Sequence, residues 1–368
     1  MICGNSSCNG IGAPNCTLKD VLASRKRKAL LKVAQLLTDT QTWGGPLVML
    51  PEPFKYPALT ENKTLPMGHI RCNGVEIEDT FAEMFPMWAG RILITAENEK
   101  WALTAARTAT GFGTSIIMSP AEAGIEASVP ADSTPDGRVG AAIQIYHRGR
   151  LDLKSQMILR IGQCVMTCPT TAAFDAMPEA KRRIKIGRSL RYFGDGFQKR
   201  DTLFERSVWR IPVMEGEFIV EDRFGVANAI GGGNILIMAE DQKTCLKAAE
   251  EAVNAMSQLK EKVILPFPGG VCRSGSKAGS MKYKLKASTF HQFCPRLKKL
   301  VPDSRLPENV NSVYEIVIDG LDFDAIKRAM AAGIKAAVKV PGIVRISAGN
   351  YGGKLGPYRA DLKEILNL

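Results

Sequence analysis

Histidine is scarce in this chain and long apolar runs are missing. Only His69, His147 and His291 occur in 368 residues, so a histidine-rich metal centre is excluded. Nine cysteines are present, an odd number at irregular spacing, which argues against a disulfide framework. Cys164 and Cys168 alone are locally paired, and no second Cys/His pair stands at a zinc-site spacing. The cysteines read mostly as small buried hydrophobes. No stretch approaches the run of about 20 apolar residues that spans a bilayer. The N-terminus lacks a secretory signal's apolar core, and Arg25-Lys26-Arg27-Lys28 comes too late to lead one in. A cytoplasmic protein without membrane attachment is the expectation.

Familiar catalytic signatures are also missing. There is no G-x-S-x-G elbow. Gly270 to Lys277 lacks the Gly-Lys-Ser/Thr end of a P-loop, and no G-x-G-x-x-G opens a helix. Thr110-Gly-Phe-Gly-Thr-Ser-Ile-Ile117 is a near miss to an RNA-stacking motif, with Thr110, Thr114 and Ile117 where basic and aromatic residues belong. It reads as a turn into a core strand, Ser115–Met118. No nucleophile is paired with an obvious base, which disfavours covalent catalysis.

What is present is positive charge, and a repeat. The formal net charge of +12 implies anionic partners: nucleic acid, a membrane surface or a multiply anionic small molecule. Residues 1–66 stand apart, with a basic amphipathic stretch from Leu22 to Leu37 and a Pro-rich run from Pro46 to Pro66. They are expected to form a poorly ordered extension. Residues 67–220 and 221–368 are then expected to be two lobes.

Arg91-Ile-Leu-Ile-Thr-Ala-Glu97 and Asn234-Ile-Leu-Ile-Met-Ala-Glu240 are two versions of one strand, each leading into a helix. Ile92–Arg107 matches Ile235–Glu250 at nine of sixteen positions without a gap. The second halves correspond at an offset of 170. Strands Ile143–His147 and Val313–Ile318 each lead to a helix, and Cys164–Thr167 and Ile343–Ser347 are the expected closing strands. The order is that of a β-α-β-β-α-β unit. The expected fold is therefore α/β (α+β): two lobes of duplicated ferredoxin-like units, with a β-rich insert (Leu190–Phe193, Val208–Met214, Glu217–Val220) between them.

Differences between the copies point to chemistry. Glu315 lies in an apolar strand, sharing a face with Val313 and Val317, and at the offset of 170 it replaces Ile145. A carboxyl in such surroundings has a raised pKa and can donate a proton or hydrogen bond to developing negative charge. An ordinary salt-bridged glutamate is the alternative. Gly231-Gly-Gly-Asn234, Pro266-Phe-Pro-Gly-Gly270 and Gly349-Asn-Tyr-Gly-Gly-Lys354 abut strand ends, where glycine lets a ligand approach the backbone. Together they suggest a cleft. The candidate substrate-binding residues are Phe267, Pro268, Gly269, Gly270, Ser276, Lys277, Asn350, Gly352, Gly353 and Lys354. The basic segments Lys181–Arg206 and Lys277–Lys299 read as solvated faces, or as anchors for polyanions or substrate carboxylates and phosphates.

Several longer stretches carry a resemblance. They are Asn73-Gly-Val-Glu-Ile-Glu-Asp-Thr-Phe-Ala-Glu83, Pro120-Ala-Glu-Ala-Gly-Ile125, Thr134-Pro-Asp-Gly-Arg138, Arg160-Ile-Gly-Gln-Cys-Val-Met-Thr167, Glu215-Gly-Glu-Phe-Ile-Val-Glu-Asp222, Val313-Tyr-Glu-Ile-Val317 and Ile346-Ser-Ala-Gly-Asn-Tyr-Gly-Gly-Lys-Leu-Gly356. From Asn73 to about Tyr358 the chain resembles the formylmethanofuran:tetrahydromethanopterin formyltransferases. That resemblance implies transfer of a formyl group from methanofuran to N5 of tetrahydromethanopterin, with both carriers as substrates and no metal or prosthetic group. It implies a homotetramer built from dimers and, by likeness to some bacterial relatives, membership of a formyltransferase/hydrolase complex. The family's active-site glutamate falls on Glu315. The extension before Met67 lies outside the resemblance, and the surface around Lys181–Arg191 is basic where the family leads one to expect acid. A non-catalytic or altered paralogue and a nucleic-acid-binding protein are the competing readings.

Overall fold

The computed structural model describes residues 70–259 and 261–367; the expected extension over 1–66 lies outside them. The strands are β1 (Ile70–Cys72), β2 (Val75–Ile77), β3 (Phe81–Thr95), β4 (Glu122–Val129), β5 (Gly140–His147), β6 (Ala172–Asp175), β7 (Arg182–Ile184), β8 (Lys199–Leu203) and β9 (Arg206–Val213). They continue with β10 (Gly216–Glu221), β11 (Phe224–Ala239), β12 (Val263–Ile264), β13 (Ser276–Ala278), β14 (Ala287–Thr289), β15 (Ser312–Gly320), β16 (Ile343–Ser347) and β17 (Tyr358–Asp361). The helices are α1 (Glu99–Thr110), α2 (Arg150–Arg160), α3 (Gly187–Leu190), α4 (Gln242–Gln258), α5 (Phe323–Ala337) and α6 (Leu362–Leu366).

Each repeat forms one four-stranded unit. In the first the strand order is β4-β5-β3-β6, and in the second it is β12-β15-β11-β16. Both are the ferredoxin-like arrangement that the sequence repeat leads one to expect. The N-terminal half of β11 pairs antiparallel with β3 from Val226↔Gly90 to Gly231↔Phe85, so one sheet runs through both units. The β8-β9-β10 meander extends the first unit through β6.

Local chemistry starts the helices where the sequence places them. Asn98 caps α1 through Trp101 N–H, Asp241 caps α4 through Lys243 and Thr244, and Asp322 caps α5 through Ala325. Each cap satisfies backbone donors that a helix end leaves free. The buried faces of α1 and α4 are rich in alanine: Ala102, Ala105, Ala106 and Ala109 in one, Ala248, Ala249 and Ala252 in the other. Small side chains let these helices lie close on the isoleucines of their strands, Ile92, Ile94 and Ile143 in one unit and Ile235, Ile237 and Ile316 in the other.

Three expected strands are not strands. Ser115–Met118 is a turn in which Ser119 N–H and Oγ–H both bond Ser115 O, and the second strand of the unit is the small-residue segment β4. Cys164–Thr167 falls where α2 continues as a π-helical turn over Ile161–Val165; the closing strand is β6. Leu190–Phe193 is the end of α3 followed by a 3-10 turn over Arg191–Gly194. In these segments apolar composition does not mark a strand: Met118, Tyr192 and Phe193 are exposed, and Val165 is buried within a helical turn that has no ladder hydrogen bonds.

Candidate active site

Register places Glu315 more firmly than alignment does. Leu236 on β11 is the cross-strand partner of Glu315, and its repeat counterpart Leu93 on β3 pairs with Ala142. The same frame pairs Leu93 with Phe174 and Leu236 with Ser347. The second halves therefore correspond at an offset of 173, and Glu315 replaces Ala142, not Ile145. An offset of 170 has the wrong parity and would turn the strand face over. Ile145 is buried under the helices of the first unit, whereas Glu315 sits on the opposite face of its sheet. The contrast between the copies survives, with a different residue as its reference.

Around Glu315 the surroundings are apolar and hydrogen bonds are few. Its sheet face carries Leu236, Met238 and Val313, roofed by Phe290, Phe293, Leu306 and Val310 from the long segment between β12 and β15. On the free edge of β15, Cys272 forms a bridge with it: Cys272 N–H donates to Glu315 O at 2.7 Å, and Glu315 N–H to Cys272 O at 2.9 Å. The side chain is half-buried. Burial pushes its carboxyl up to about 7, against a smaller downward pull from a hydrogen bond with the Cys272 thiol. A carboxyl that titrates near neutrality, without a cationic partner among the described residues, suits proton donation.

Two of the glycine segments are tied together, and a third candidate segment joins them. Gly231-Gly-Gly233 is not a strand end but a bulge inside β11, where the register slips between Ile230 and Gly233 and Gly232 has φ +88°. Asn234, next in the chain, donates to Gly232 O and Gly349 O, both at 3.1 Å, and accepts from Gly349 N–H. The following loop, Asn350–Gly356, wraps the buried carboxylate of Glu83. That carboxylate accepts N–H bonds from Tyr351 (2.7 Å), Gly353 (3.0 Å), Gly356 (3.1 Å) and Leu355. Asn350 is anchored on Thr80 Oγ1 and Phe81 O, while Gly352 and Lys354 are exposed. Tyr351 O–H then reaches Ser276 O at 3.1 Å, joining this loop to β13.

Lys277, also on β13, has its ammonium 2.8 Å from His291 Nδ1, and His291 Nε2 is 2.8 Å from Asp303. Lys298 in the same basic segment is no solvated charge: it donates to the carbonyls of Pro307, Glu308 and Val310. Phe267, Pro268, Gly269 and Gly270 lie elsewhere. They line a cavity of about 530 Å³ together with Gly111–Thr114, residues of β4 and β12, and the C-terminal part of α4. The ten predicted contacts thus fall into two groups, one on Glu83, Ser276 and Lys277, the other in this cavity.

Sequence reasoning missed Glu83, which sits within a quoted motif, and a buried pair of carboxyls. Glu122 on β4 and Asp319 on β15 meet beside the β11 bulge. Asp319 accepts from Gly232 N–H at 3.0 Å and Glu122 from Ile116 N–H at 2.8 Å. Burial raises both carboxyls above their ordinary range, and for Asp319 the neighbouring Glu122 charge adds to it. The parity of β15 would have placed Asp319 on the same face as Glu315; its partner Glu122 carried no local signal. Among the described residues no group of three or more His, Cys, Asp and Glu could hold a metal ion, and no helix is long and apolar enough to cross a membrane.

Known proteins share this architecture. Residues 70–213 match the family model described as formylmethanofuran-tetrahydromethanopterin formyltransferase, and residues 216–365 match that of its proximal lobe. The formylmethanofuran–tetrahydromethanopterin formyltransferase of Methanocaldococcus jannaschii is 56% identical over 80% of this chain and 98% of its own length. The structure of the Methanosarcina barkeri formyltransferase superposes with a TM-score of 0.78 at 51% identity, over 80% of this chain and all of that one. A chain of the formyltransferase/hydrolase complex from Methylorubrum extorquens, solved with methylofuran, gives 0.78 at 44% identity, over 81% and 99%. With one fold, two matching lobes and identity above one half, the chain belongs to the formylmethanofuran–tetrahydromethanopterin formyltransferase family.

Proposed function

We propose that this chain moves a formyl group between formylmethanofuran and N5 of tetrahydromethanopterin, with Glu315 as the proton-handling group. The observation that carries the role of Glu315 is its setting: a carboxyl held near pKa 7 on an apolar sheet face, where the other copy of the fold has only Ala142.

The chemistry needs orientation and charge handling more than a nucleophile. The N5 lone pair attacks the formyl carbon and the carbonyl π pair moves to oxygen, giving a tetrahedral oxyanion. Protonated Glu315 donates a hydrogen bond or its proton to that oxygen. The carbonyl re-forms as the C–N bond to the methanofuran amine breaks. The proton lost by N5 replaces the one gained by the departing amine, so the sum is one formyl group exchanged for one hydrogen. Loop Asn350–Lys354, Ser276 and Lys277 are proposed to shape the site for the carriers, and Phe267–Gly270 to take a part of a carrier in the adjoining cavity.

In the same reading residues 67–220 and 221–368 are two lobes, the protein is cytoplasmic, and it works as a homotetramer or within a transferase/hydrolase complex. The identity over nearly the full length of the relatives favours the catalytic reading over a nucleic-acid-binding one. Assay of formyl transfer between the two carriers by purified protein tests it. Turnover supports the proposal, and its absence from a folded tetramer points to an altered paralogue.

A further inference from the structure

The first unit's face that corresponds by register to the Glu315 face lacks a carboxyl at Ala142, yet it opens into space. Two adjoining cavities of about 480 and 740 Å³ lie there, sharing Pro178, Phe204 and Arg206, and Ala142 and Leu93 line the first. Their charges are sorted by depth. Asp175, Glu221 and Asp222 are buried. Arg183 spans Asp175 (2.8 Å) and Glu221 (3.2 Å), and Arg206 holds Glu221 at 2.7 Å. Asp222 accepts from the Trp209 indole at 2.7 Å.

Above these buried acids, Arg188, Arg200 and Arg223 are exposed around the larger cavity. Arg200 rests on Ser207 Oγ and stands 4.0 Å from Asp222; Arg223 is 3.7 Å from it. Arg188 has no ion pair among the described residues. The opposing rim charge is Glu205.

A second feature falls at the same place. Phe204 and Glu205 form the two-residue turn between β8 and β9, at φ +54° and +59°. That turn is ordinarily made by Asn-Gly, because side chains are disfavoured at positive φ. Here a half-exposed phenylalanine occupies it and faces both cavities, its ring edge-on to Phe174 at 6.2 Å. Backbone strain of this kind collects at ligand clamps. Arginines on an ordinary solvated face would not converge on a cavity beside a strained aromatic.

We propose that this groove binds a small organic polyanion, its carboxylate or phosphate groups against Arg188, Arg200 and Arg223 and its apolar part against Phe204. Two sources share that chemistry: the charged tail of a C1 carrier, or a free anionic metabolite.

Isothermal titration of the full chain with citrate and with pyrophosphate at low salt tests the site. Saturable binding is expected, at least tenfold weaker in Arg200→Ala/Arg223→Ala and unchanged in Lys335→Ala/Lys339→Ala, exposed lysines in the last turn of α5 and just after it. Glu205→Gly removes the opposing charge and frees the turn, so it is expected to bind several-fold tighter and melt higher. A tenfold rise in KM for one carrier in Arg200→Ala/Arg223→Ala, with kcat unchanged, assigns the groove to that carrier's tail; an unchanged KM assigns it to a free anion. Failure of both probes to saturate, equal affinity in the arginine variant, or weaker binding by Glu205→Gly would overturn the proposal.

Discussion

Cys272 and Glu315 face each other across a bridge of two backbone hydrogen bonds at the edge of β15, and the thiol's hydrogen bond opposes the rise that burial imposes on the carboxyl. If protonated Glu315 is the acid, kcat is level below about pH 7 and falls about tenfold per unit above it. Cys272→Ala removes a hydrogen bond that favours the charged form, so the falling limb should move to higher pH. A pH–rate profile of both proteins measures this; a shift to lower pH, or none, contradicts the pairing.

The Glu122–Asp319 pair predicts an unusual pH dependence of stability. Both carboxyls are raised in the folded state, chiefly by burial. The folded protein therefore keeps protons that the unfolded chain releases near pH 4. The pair's contribution is complete below that pH and declines as pH rises. Asp319→Asn preserves an acceptor for Gly232 N–H but cannot ionise. Its melting temperature should exceed that of the parent by about 2–4 °C at pH 8, roughly 1 kcal/mol, with no gain at pH 4. Equal melting curves at pH 8 would refute it.

Glu83 gathers four backbone N–H groups of the loop that ends the second unit. Glu83→Ala would leave those donors without their acceptor, at a cost of at least about 3 kcal/mol, since bonds to a charged acceptor contribute about 1.5–3 kcal/mol each. Chemical denaturation should show that loss, and KM should rise for a carrier seated on Asn350–Lys354. A loss below about 1 kcal/mol would mean that the loop holds itself.

The repeat was legible because each first strand and helix is specified locally: apolar alternation, an Asn or Asp cap, and an alanine face. Glu315 stood out because a charge interrupts such a strand. Register was harder. Leu151-Asp152 and Leu321-Asp322 look alike, yet α2 begins at Arg150 and α5 at Phe323, so matching the acids misplaced the frame by three residues and put Ile145 where Ala142 belongs. Only ladder pairing resolves that. β4 and β6 were missed because Ala, Gly and Ser give little strand signal, and their place is fixed by the neighbours they pair with. Glu83, and Glu122 opposite Asp319, are contacts between distant segments that no spacing within one element announces.

Replacing Glu315 by Gln tests the central claim most directly. Glutamine keeps the shape and a hydrogen-bond donor but cannot release a proton. The account predicts that Glu315→Gln folds and melts at least as high as the parent at pH 8, while kcat for formyl transfer falls by about 10²–10⁴-fold. Near-parental turnover in a folded Glu315→Gln protein would contradict it.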